Sequence, residues 1–244
     1  MIKIGVVTTI IKVVDYFYKL KIRFFLKTLN KKFDILFDIG AHHGESIFFF
    51  LRTFNIKNIF SFEPSPVNFE ILQKKYLIYQ RKFSDSKIVI ENLGLSNSIG
   101  KNFLKQFKES SSSTLEKINN NSVYYKNKNK MLYSRNDKRP FKKIKVRITT
   151  LQNYLKKNKI KKIDFLKIDT EGHEFKVLLG LKNYISKVNF IMFEHHYDNM
   201  IIKDYNFSKI NNFLLKNNFK KIFKAKMPLR KTFEYIYENN KYQK

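Results

Sequence analysis

The chain has 244 residues and a formal net charge of +29, with 43% hydrophobic residues and no Cys. This length accommodates one α/β domain and is short for two domains with separate cores, while the apolar content excludes a disordered polyelectrolyte. The missing Cys excludes disulfides, thiolate nucleophiles and Cys-ligated metal sites.

The positive charge raises the question of nucleic-acid binding, because clustered Lys and Arg neutralise phosphates. Only seven of the 49 basic residues are Arg, which supplies most specific base and phosphate contacts. Lys is spread over nearly every segment, a pattern that favours a solvated basic surface. We therefore expect no specific nucleic-acid partner and only weak attraction to anionic membranes or glycans.

Residues 1–32 are predicted to form a helical extension of the main domain, because apolar side chains recur there at helical spacing. The apolar positions are Ile10, Val13, Val14, Phe17 and Phe24, and the charged positions on the opposite face are Lys12, Asp15, Lys19, Arg23 and Lys27. We expect this amphipathic helix to pack on the main domain, with weak peripheral membrane contact as the alternative. Charges interrupt the segment and no small-residue cleavage site follows it. Neither a signal peptide nor a membrane span is therefore predicted, and we expect a cytoplasmic location.

Strands and helices alternate through residues 33–244, which we predict to be one α/β domain with a mostly parallel sheet and helices on both faces. Predicted strands cover residues 35–39, 56–62, 87–91, 163–168, 188–193, 220–224 and 232–237. Predicted helices cover residues 45–54, 67–79, 151–157, 174–179 and 208–216. The short connection between the last two strands indicates an antiparallel hairpin at one edge of the sheet.

Between about residues 100 and 148 the alternation lapses into an insertion rich in Ser, Asn and Lys, where we expect no core. Its flanking runs, residues 102–107 and 143–148, are able to pair as strands around a mobile loop. A plain linker and an acceptor-binding excursion are both compatible with such a loop.

A glycine-containing turn, Asp38-Ile-Gly40-Ala-His42-His-Gly44, follows the first strand. Glycines at such a turn let the backbone approach a ligand. His42 stands where the pattern G-x-G-x-x-G has its second glycine, which disfavours a pyrophosphate ligand. Glu63, at the tip of the second strand, is placed where a carboxylate accepts both hydroxyls of a ribose. The two features together predict a nucleoside-like ligand.

The series FDIGAHHGES, FSFEPSP, ENLGLSN, TTLQNYL and IDFLKIDTEGHEFKVLLG resembles the FkbM family of S-adenosylmethionine-dependent methyltransferases. The resemblance implies a class I methyltransferase (Rossmann-like) sheet of seven strands in the order 3-2-1-4-5-7-6. It also implies methyl transfer from S-adenosylmethionine to a hydroxyl of a carbohydrate or small secondary metabolite. The residues that it assigns to the donor are Asp38, Gly40, His42 and Gly44 at the methionine end, Glu63 at the ribose, and Asn92 and Leu93 near the adenine.

In that strand order the first and fourth strands are neighbours, so Asp169 would stand beside the turn at Asp38 in the crevice where ligands bind. An acceptor hydroxyl becomes a better nucleophile when a base takes its proton. The catalytic residues that we predict are Asp169, Glu171, His173, Glu194 and His195, with His196 as a further candidate base. A helix cap is the alternative role for Asp169, and a backbone hydrogen bond is the alternative for His173.

Three alternatives stay open. Asp169, Glu171, Glu194 and His195 offer ligands for a divalent metal, although their spacing matches no fixed metal signature. The sheet class also admits a nicotinamide-dependent oxidoreductase, which the missing glycines disfavour. The net charge admits a nucleic-acid or membrane-surface binder without catalysis.

Overall fold

The computed structural model describes residues 4–132 and 141–242, with side chains over 14–130 and 141–242. The α-helices within these ranges are α1 (Ile4–Thr28), α2 (Glu45–Thr53), α3 (Pro66–Lys82), α4 (Val123–Leu132), α5 (Leu151–Lys157), α6 (Glu174–Leu179) and α7 (Phe207–Lys216). The strands are β1 (Ile35–Ile39), β2 (Asn58–Phe62), β3 (Lys87–Glu91), β4 (Gly94–Leu95), β5 (Gly100–Phe107), β6 (Lys117–Ile118), β7 (Phe141–Thr149), β8 (Ile163–Ile168), β9 (Val188–His196), β10 (Ile201–Ile202), β11 (Phe219–Lys226) and β12 (Thr232–Asn239).

Seven of these strands form the central sheet in the order β3-β2-β1-β8-β9-β12-β11, which is 3-2-1-4-5-7-6 when they are numbered among themselves. The first five are parallel, and β12 lies antiparallel to both β9 and β11. The predicted α/β class, the mostly parallel sheet and the edge hairpin are therefore confirmed. The five other strands form two smaller sheets, β4-β7-β5 and β10-β6. The prediction had β5 and β7 as the flanking runs of the insertion but lacked β4, β6 and β10.

Two hydrophobic cores cover the two faces of the central sheet. Side chains alternate between the faces, so Leu36 and Phe165 lie in one core while Phe37 and Leu166 lie in the other. All six residues of β8 are buried, as expected for a parallel strand that is covered on both sides. The ends of β1 and β8 are thereby held firmly in the middle of the sheet.

Helix α1 packs one face on the sheet beside β11 and β12. Tyr18, Ile22 and Leu26 are buried there, and the Phe25 ring stacks on the Phe223 ring with 4.3 Å between their centroids. These contacts confirm the predicted packing of the helix on the main domain.

The predicted apolar face of α1 was wrong at Phe17 and Phe24, which are both exposed. Hydrophobicity alone suggested those positions, whereas the buried stripe is set by where β11 and β12 meet the helix. Ile10 and Val13 lie outside the described side chains. Within the described part of the chain, no helix has the length and apolar character needed to cross a membrane.

The insertion is more ordered than its composition suggests. Strands β5 and β7 pair antiparallel from Gly100 opposite Ile148 to Phe107 opposite Phe141, which confirms the predicted pairing of the flanking runs. The expectation of no core was wrong, because Tyr125 of α4 packs with Phe107, Met200 and Ile201. This small core joins the insertion to a distant loop, a contact that local sequence does not reveal. Residues 133–140 of the predicted loop lie outside the described residues.

Candidate active site

The turns after β1 and β8 meet at the carboxyl edge of the sheet. The backbone N–H of Asp169 donates a hydrogen bond to the Ile39 carbonyl at 2.9 Å, so the predicted proximity of the two turns is confirmed. Gly40 has φ +82°, and a Cβ there would stand 1.8 Å from the Asp169 carbonyl oxygen. Only glycine permits this close approach of two backbones.

Glu63 lies buried at the tip of β2. Its Oε2 accepts a hydrogen bond from the His42 N–H at 2.8 Å, and its Oε1 accepts one from the Ser65 N–H at 2.9 Å. Burial raises the pKa of Glu63 to about 7 despite these two bonds. The Asn92 side-chain amide donates to the Glu63 carbonyl oxygen at 2.9 Å, so Asn92 braces the turn that carries Glu63. The carboxylate is therefore held rigidly over the turn after β1.

A cavity of about 80 Å³, which we name the Glu63 cavity, lies over these groups. Its lining includes Gly40, Glu63, Leu93 and Asp169. Residues 110–113 of the insertion, which we name the serine loop, also line the cavity through Ser110, Ser111 and Ser113. The Ser110 hydroxyl lies 2.7 Å from Nε2 of His42, which joins the serine loop to the turn after β1.

Two residues predicted to contact a ligand lie beneath the turn and line none of the described cavities. Asp38 is fully buried, and Gly44 packs α2 against α3, where an added Cβ would stand 2.8 Å from Leu72. Asn92 likewise serves Glu63 rather than the cavity wall. Of the predicted donor residues, the structure therefore brings Gly40, His42, Glu63 and Leu93 to the Glu63 cavity.

Lys167, which the sequence reasoning missed, lies buried between two carboxylates. Its Nζ is 3.1 Å from Oδ1 of Asp38 and 3.3 Å from Oδ2 of Asp169, and it donates to Oγ of Ser46 at 2.9 Å. Burial alone would lower the pKa of Lys167, but the attraction of Asp38 and Asp169 raises it above its usual value. A Lys inside the otherwise apolar run FLKI was the signal that could have found it.

His196 is the centre of a second charged group, at the tips of β8 and β9. Its Nε2 lies 3.5 Å from Oε2 of Glu171 and 3.8 Å from Oε2 of Glu194, and its Nδ1 lies 3.6 Å from Oδ2 of Asp198. Burial would lower the pKa of His196, but the carboxylates of Glu171, Asp198 and Glu194 raise it to about 10. The imidazole is therefore a cation at neutral pH.

Two of the three carboxylates around His196, those of Glu171 and Glu194, are harder to ionise than ordinary ones. Burial raises the pKa of Glu171 to about 7. Burial, followed by repulsion from Asp169, raises the pKa of Glu194 well above its usual value. Glu171 is thus placed to exchange a proton near neutral pH, and Glu194 holds its proton more tightly than an ordinary carboxylate does.

The prediction of His195 was wrong, as a catalytic residue and as a metal ligand. Side chains alternate along β9, so Glu194 and His196 face the site while His195 faces the opposite core. There His195 packs against the rings of Tyr197 and Phe207, and burial lowers its pKa to about 3. The period-two pattern of a strand could have selected His196 together with Glu194.

His173 has both ring nitrogens occupied. Its Nδ1 lies 2.5 Å from Oε1 of Glu116 in the insertion, and its Nε2 lies 2.9 Å from Oγ of Ser96. With no nitrogen left for a substrate proton, His173 holds the insertion against the domain. The backbone hydrogen bond that was its alternative role is replaced by these two side-chain contacts.

Two larger cavities adjoin the Glu63 cavity. One of about 360 Å³, the Lys167 cavity, is lined by Gly40, Lys167 and Asp169 on the sheet side and by residues of α1. The other, of about 550 Å³, is the His196 cavity, and its lining includes Glu171 and His196. Asp169 borders the Glu63 cavity and the Lys167 cavity, and Glu171 borders all three. The three cavities therefore meet at the turn after β8.

Metal ligation has one geometric candidate among the side chains described. His42, His43 and Glu45 place one ligand atom each within 4.8 Å of one another, and this group lies on the turn after β1. The predicted metal set around Asp169 does not form such a group, because His195 faces away from it.

The fold and the turns at its carboxyl edge define a class I methyltransferase-like protein. Magnesium protoporphyrin IX methyltransferase (ChlM) from Synechocystis PCC 6803 with bound SAM has a similar structure, with a TM-score of 0.53 and 10% sequence identity, over 94% of this chain and 82% of that one. Methyltransferase FkbM from Methylobacillus flagellatus KT gives a TM-score of 0.54 and 16% identity, over 84% of this chain. The match covers 43% of the Methylobacillus chain.

The family model of the methyltransferase FkbM domain matches residues 38–221. The chain belongs to the FkbM methyltransferase family, as its motifs predicted. No curated protein gives a significant match. Membership of a methyltransferase family argues against the nicotinamide-dependent oxidoreductase that the sheet class had left open.

Proposed function

We propose that this protein transfers a methyl group from S-adenosylmethionine to a hydroxyl oxygen of a carbohydrate or a small secondary metabolite. One observation carries the proposal: the Glu63 cavity and the His196 cavity meet at Glu171. The proposed donor and acceptor sites would thereby be adjacent at the carboxyl edge of the sheet, where α/β folds bind ligands.

The residues of the Glu63 cavity fit a nucleoside donor in their chemistry. Each Glu63 oxygen accepts one backbone N–H, and a carboxylate oxygen is able to accept a second hydrogen bond, here from a ribose hydroxyl. Leu93 and Phe62 supply apolar surface for an adenine ring, and Gly40 would lie beside the methionine end. When bound, S-adenosylmethionine supplies an electrophilic methyl group on a positively charged sulfur.

Glu171 is our candidate for the base. Its pKa of about 7 lets it take a proton from an acceptor hydroxyl near neutral pH, and such help is worth about 10²–10⁴-fold in rate. The His196 cation lies beside both Glu171 and Glu194 and fixes the two carboxylates at the cavity wall. Glu194, which also lines the His196 cavity, would accept a hydrogen bond from another hydroxyl of the acceptor. Asp169, held by Lys167, would stand on the donor side, where it lines the Glu63 cavity.

Calorimetry with S-adenosylmethionine and its demethylated product tests the donor half of the proposal. We expect both to bind, and Glu63→Ala to weaken the affinity by about tenfold or more, because hydrogen bonds to a charged group are lost. Glu70→Ala, at an exposed carboxylate on α3, is the matched control and should bind as the wild type does. Absence of binding by the wild-type protein would contradict the proposal.

Isotopically labelled donor, incubated with glycan and metabolite extracts, tests the acceptor half. We expect a labelled product whose added mass lies on a hydroxyl oxygen. Glu171→Gln should abolish the labelled product while donor binding in the calorimeter stays unchanged. A label on nitrogen or carbon would show that the acceptor class is wrong while the donor assignment holds.

A further inference from the structure

The outer face of α1 exposes large aromatic side chains to solvent. Tyr16 is 60% exposed, Phe17 64% and Phe24 73%. The opposite face of the helix is buried on the sheet, so these rings are not needed to hold the helix in place. The side chains of α1 are described from residue 14 to residue 28. Three large exposed rings on so short a stretch indicate an interaction surface.

Cationic side chains surround these rings. Lys19, Lys21 and Lys27 are exposed on the same helix. The single acidic residue of α1, Asp15, forms an ion pair with Arg230 at 2.9 Å. The surface around the aromatic rings is therefore strongly positive, within a chain whose net charge is +29.

The tip of the β11–β12 hairpin extends this surface. Leu229 is 77% exposed, and the exposed residues Lys226 and Lys231 flank the tip. The ion pair between Arg230 and Asp15 ties the tip to α1. The hairpin tip, with its exposed apolar and cationic residues, therefore lies beside α1.

We propose that α1 and the hairpin tip dock on the surface of an anionic lipid bilayer. Aromatic rings settle at the level of the lipid headgroups, and nearby Lys side chains are attracted to anionic lipids. The helix would lie in the plane of the interface, because its other face is packed on the sheet. A second copy of the chain fits this face poorly, since two surfaces of the same strong charge repel each other.

Docking would also orient the site. Val14, Asp15, Leu229 and Arg230 line the His196 cavity, so its rim is built from the elements that touch the bilayer. The cavity would then open beside the lipid headgroups. This orientation concerns where the protein binds, and it holds whether or not the proposed methyl transfer to a hydroxyl is correct.

A single tryptophan reports the docking directly, because the chain has no Trp of its own. With vesicles of phosphatidylcholine and phosphatidylglycerol, the emission of Phe17→Trp should shift to the blue and be quenched by brominated lipid. The matched control is Leu77→Trp, at a 58% exposed position on α3, and its emission should not change. No shift for Phe17→Trp, or an equal shift for both variants, would overturn the proposal.

Vesicle flotation with two triple variants tests whether the exposed rings of α1 supply the binding energy. The variant Tyr16→Ser, Phe17→Ser, Phe24→Ser should bind anionic vesicles about tenfold or more weakly. Its control replaces three exposed apolar side chains elsewhere, Leu77→Ser, Ile78→Ser and Phe103→Ser, and should bind as the wild type does. Circular dichroism verifies that both variants are folded. Binding should also fall as salt rises and be absent with pure phosphatidylcholine.

Three other outcomes would overturn the bilayer as the partner. In the first, the α1 variant changes the sedimentation of the protein without changing vesicle binding, which would identify a second copy. In the second, an oligonucleotide binds more tightly than vesicles and loses its affinity in the α1 variant. In the third, both triple variants lose vesicle binding equally. Donor binding measured by calorimetry is independent of all these results, so failure here is distinguishable from failure of the proposed activity.

Discussion

Lys167 shows how a buried charge organises this site. It stands between Asp38, which is fully buried, and Asp169, which faces the cavities. It also reaches Ser46 at the start of α2. One cation therefore links the turn after β1, the helix that follows it and the turn after β8.

Replacing Lys167 by Met should destabilise the protein severely, because Asp38 would keep its burial and lose its partner. We expect the free energy of unfolding in urea at neutral pH to fall by about 3–5 kcal/mol. The matched control is Lys162→Met, whose exposed ammonium pairs with Asp164 at 3.0 Å and should contribute about 1 kcal/mol or less. Adding Asp38→Asn to Lys167→Met should restore part of the loss. Equal effects of the two Lys variants would contradict this account.

Because of Glu171, activity and stability should change with pH in opposite directions. Its pKa in the folded protein is raised to about 7, so the stability it contributes is present below its unfolded pKa and lost as pH rises through about 7. Activity should instead rise through about pH 7, where the base loses its proton. Glu171→Gln should be inactive. The melting temperature of this variant should rise relative to that of the wild type as pH increases.

Thermal melts and initial rates of both proteins, from about pH 5 to about pH 9, measure the two trends. Glu70→Gln, which changes an exposed carboxylate on α3, should follow the wild type in both. Activity that falls through neutral pH would show that Glu171 is not the base.

The carboxylates at the strand tips could be predicted from the sequence better than the cationic side chains that contact them. Glu63 and Asp169 follow apolar strands, so their position at the sheet edge could be predicted. Lys167 and His196 act through contacts made across neighbouring strands, which a single strand does not display. Along β9 the period of two places His196 on the same face as Glu194 and His195 on the opposite face, so the strand pattern favours His196.

Among the elements, the insertion is fastened to the domain by a few polar contacts. Glu116 contacts His173 at 2.5 Å and Lys176 at 2.8 Å, and the Thr114 hydroxyl donates to the Glu171 carbonyl at 2.7 Å. These contacts join the insertion to the same turn that carries the candidate base. The position of the insertion is therefore coupled to the site.

Glu116→Gln should loosen this attachment without unfolding the protein. The Gln side chain no longer pairs with two potential cations, so trypsin should cleave the Lys-rich insertion faster while the global unfolding transition in urea stays nearly unchanged. Glu70→Gln serves as the control, because it alters a charge of the same sign on an exposed helix. Unchanged cleavage would show that the apolar contacts of Tyr125 alone hold the insertion.

Strand and helix positions in the central sheet could be predicted because each has a strong local pattern. The order inside the insertion could not, because β6 pairs with β10 and Tyr125 packs on Met200, both far along the chain. The division into an extension, residues 1–32, and a domain, residues 33–244, stays a prediction.

At the scale of the whole molecule, the net charge of +29 opposes folding through self-repulsion. Added salt shortens the screening length from about 30 Å at 0.01 M to about 8 Å at 0.15 M. We therefore expect the melting temperature to rise over this range of salt. Chloride and sulfate at matched ionic strength separate general screening from binding of a particular anion. A melting temperature that falls with salt would show that attractive ion pairs outweigh the repulsion.

The closed serine loop has a consequence for the timing of catalysis. Ligand pockets commonly measure about 300–1,000 Å³, whereas the Glu63 cavity beneath the loop measures about 80 Å³. Under the proposed function, the serine loop would have to leave His42 to admit the donor and again to release the spent cofactor. Such a loop would slow turnover and protect the reaction together, because a site that opens slowly also keeps water away from a reactive methyl group.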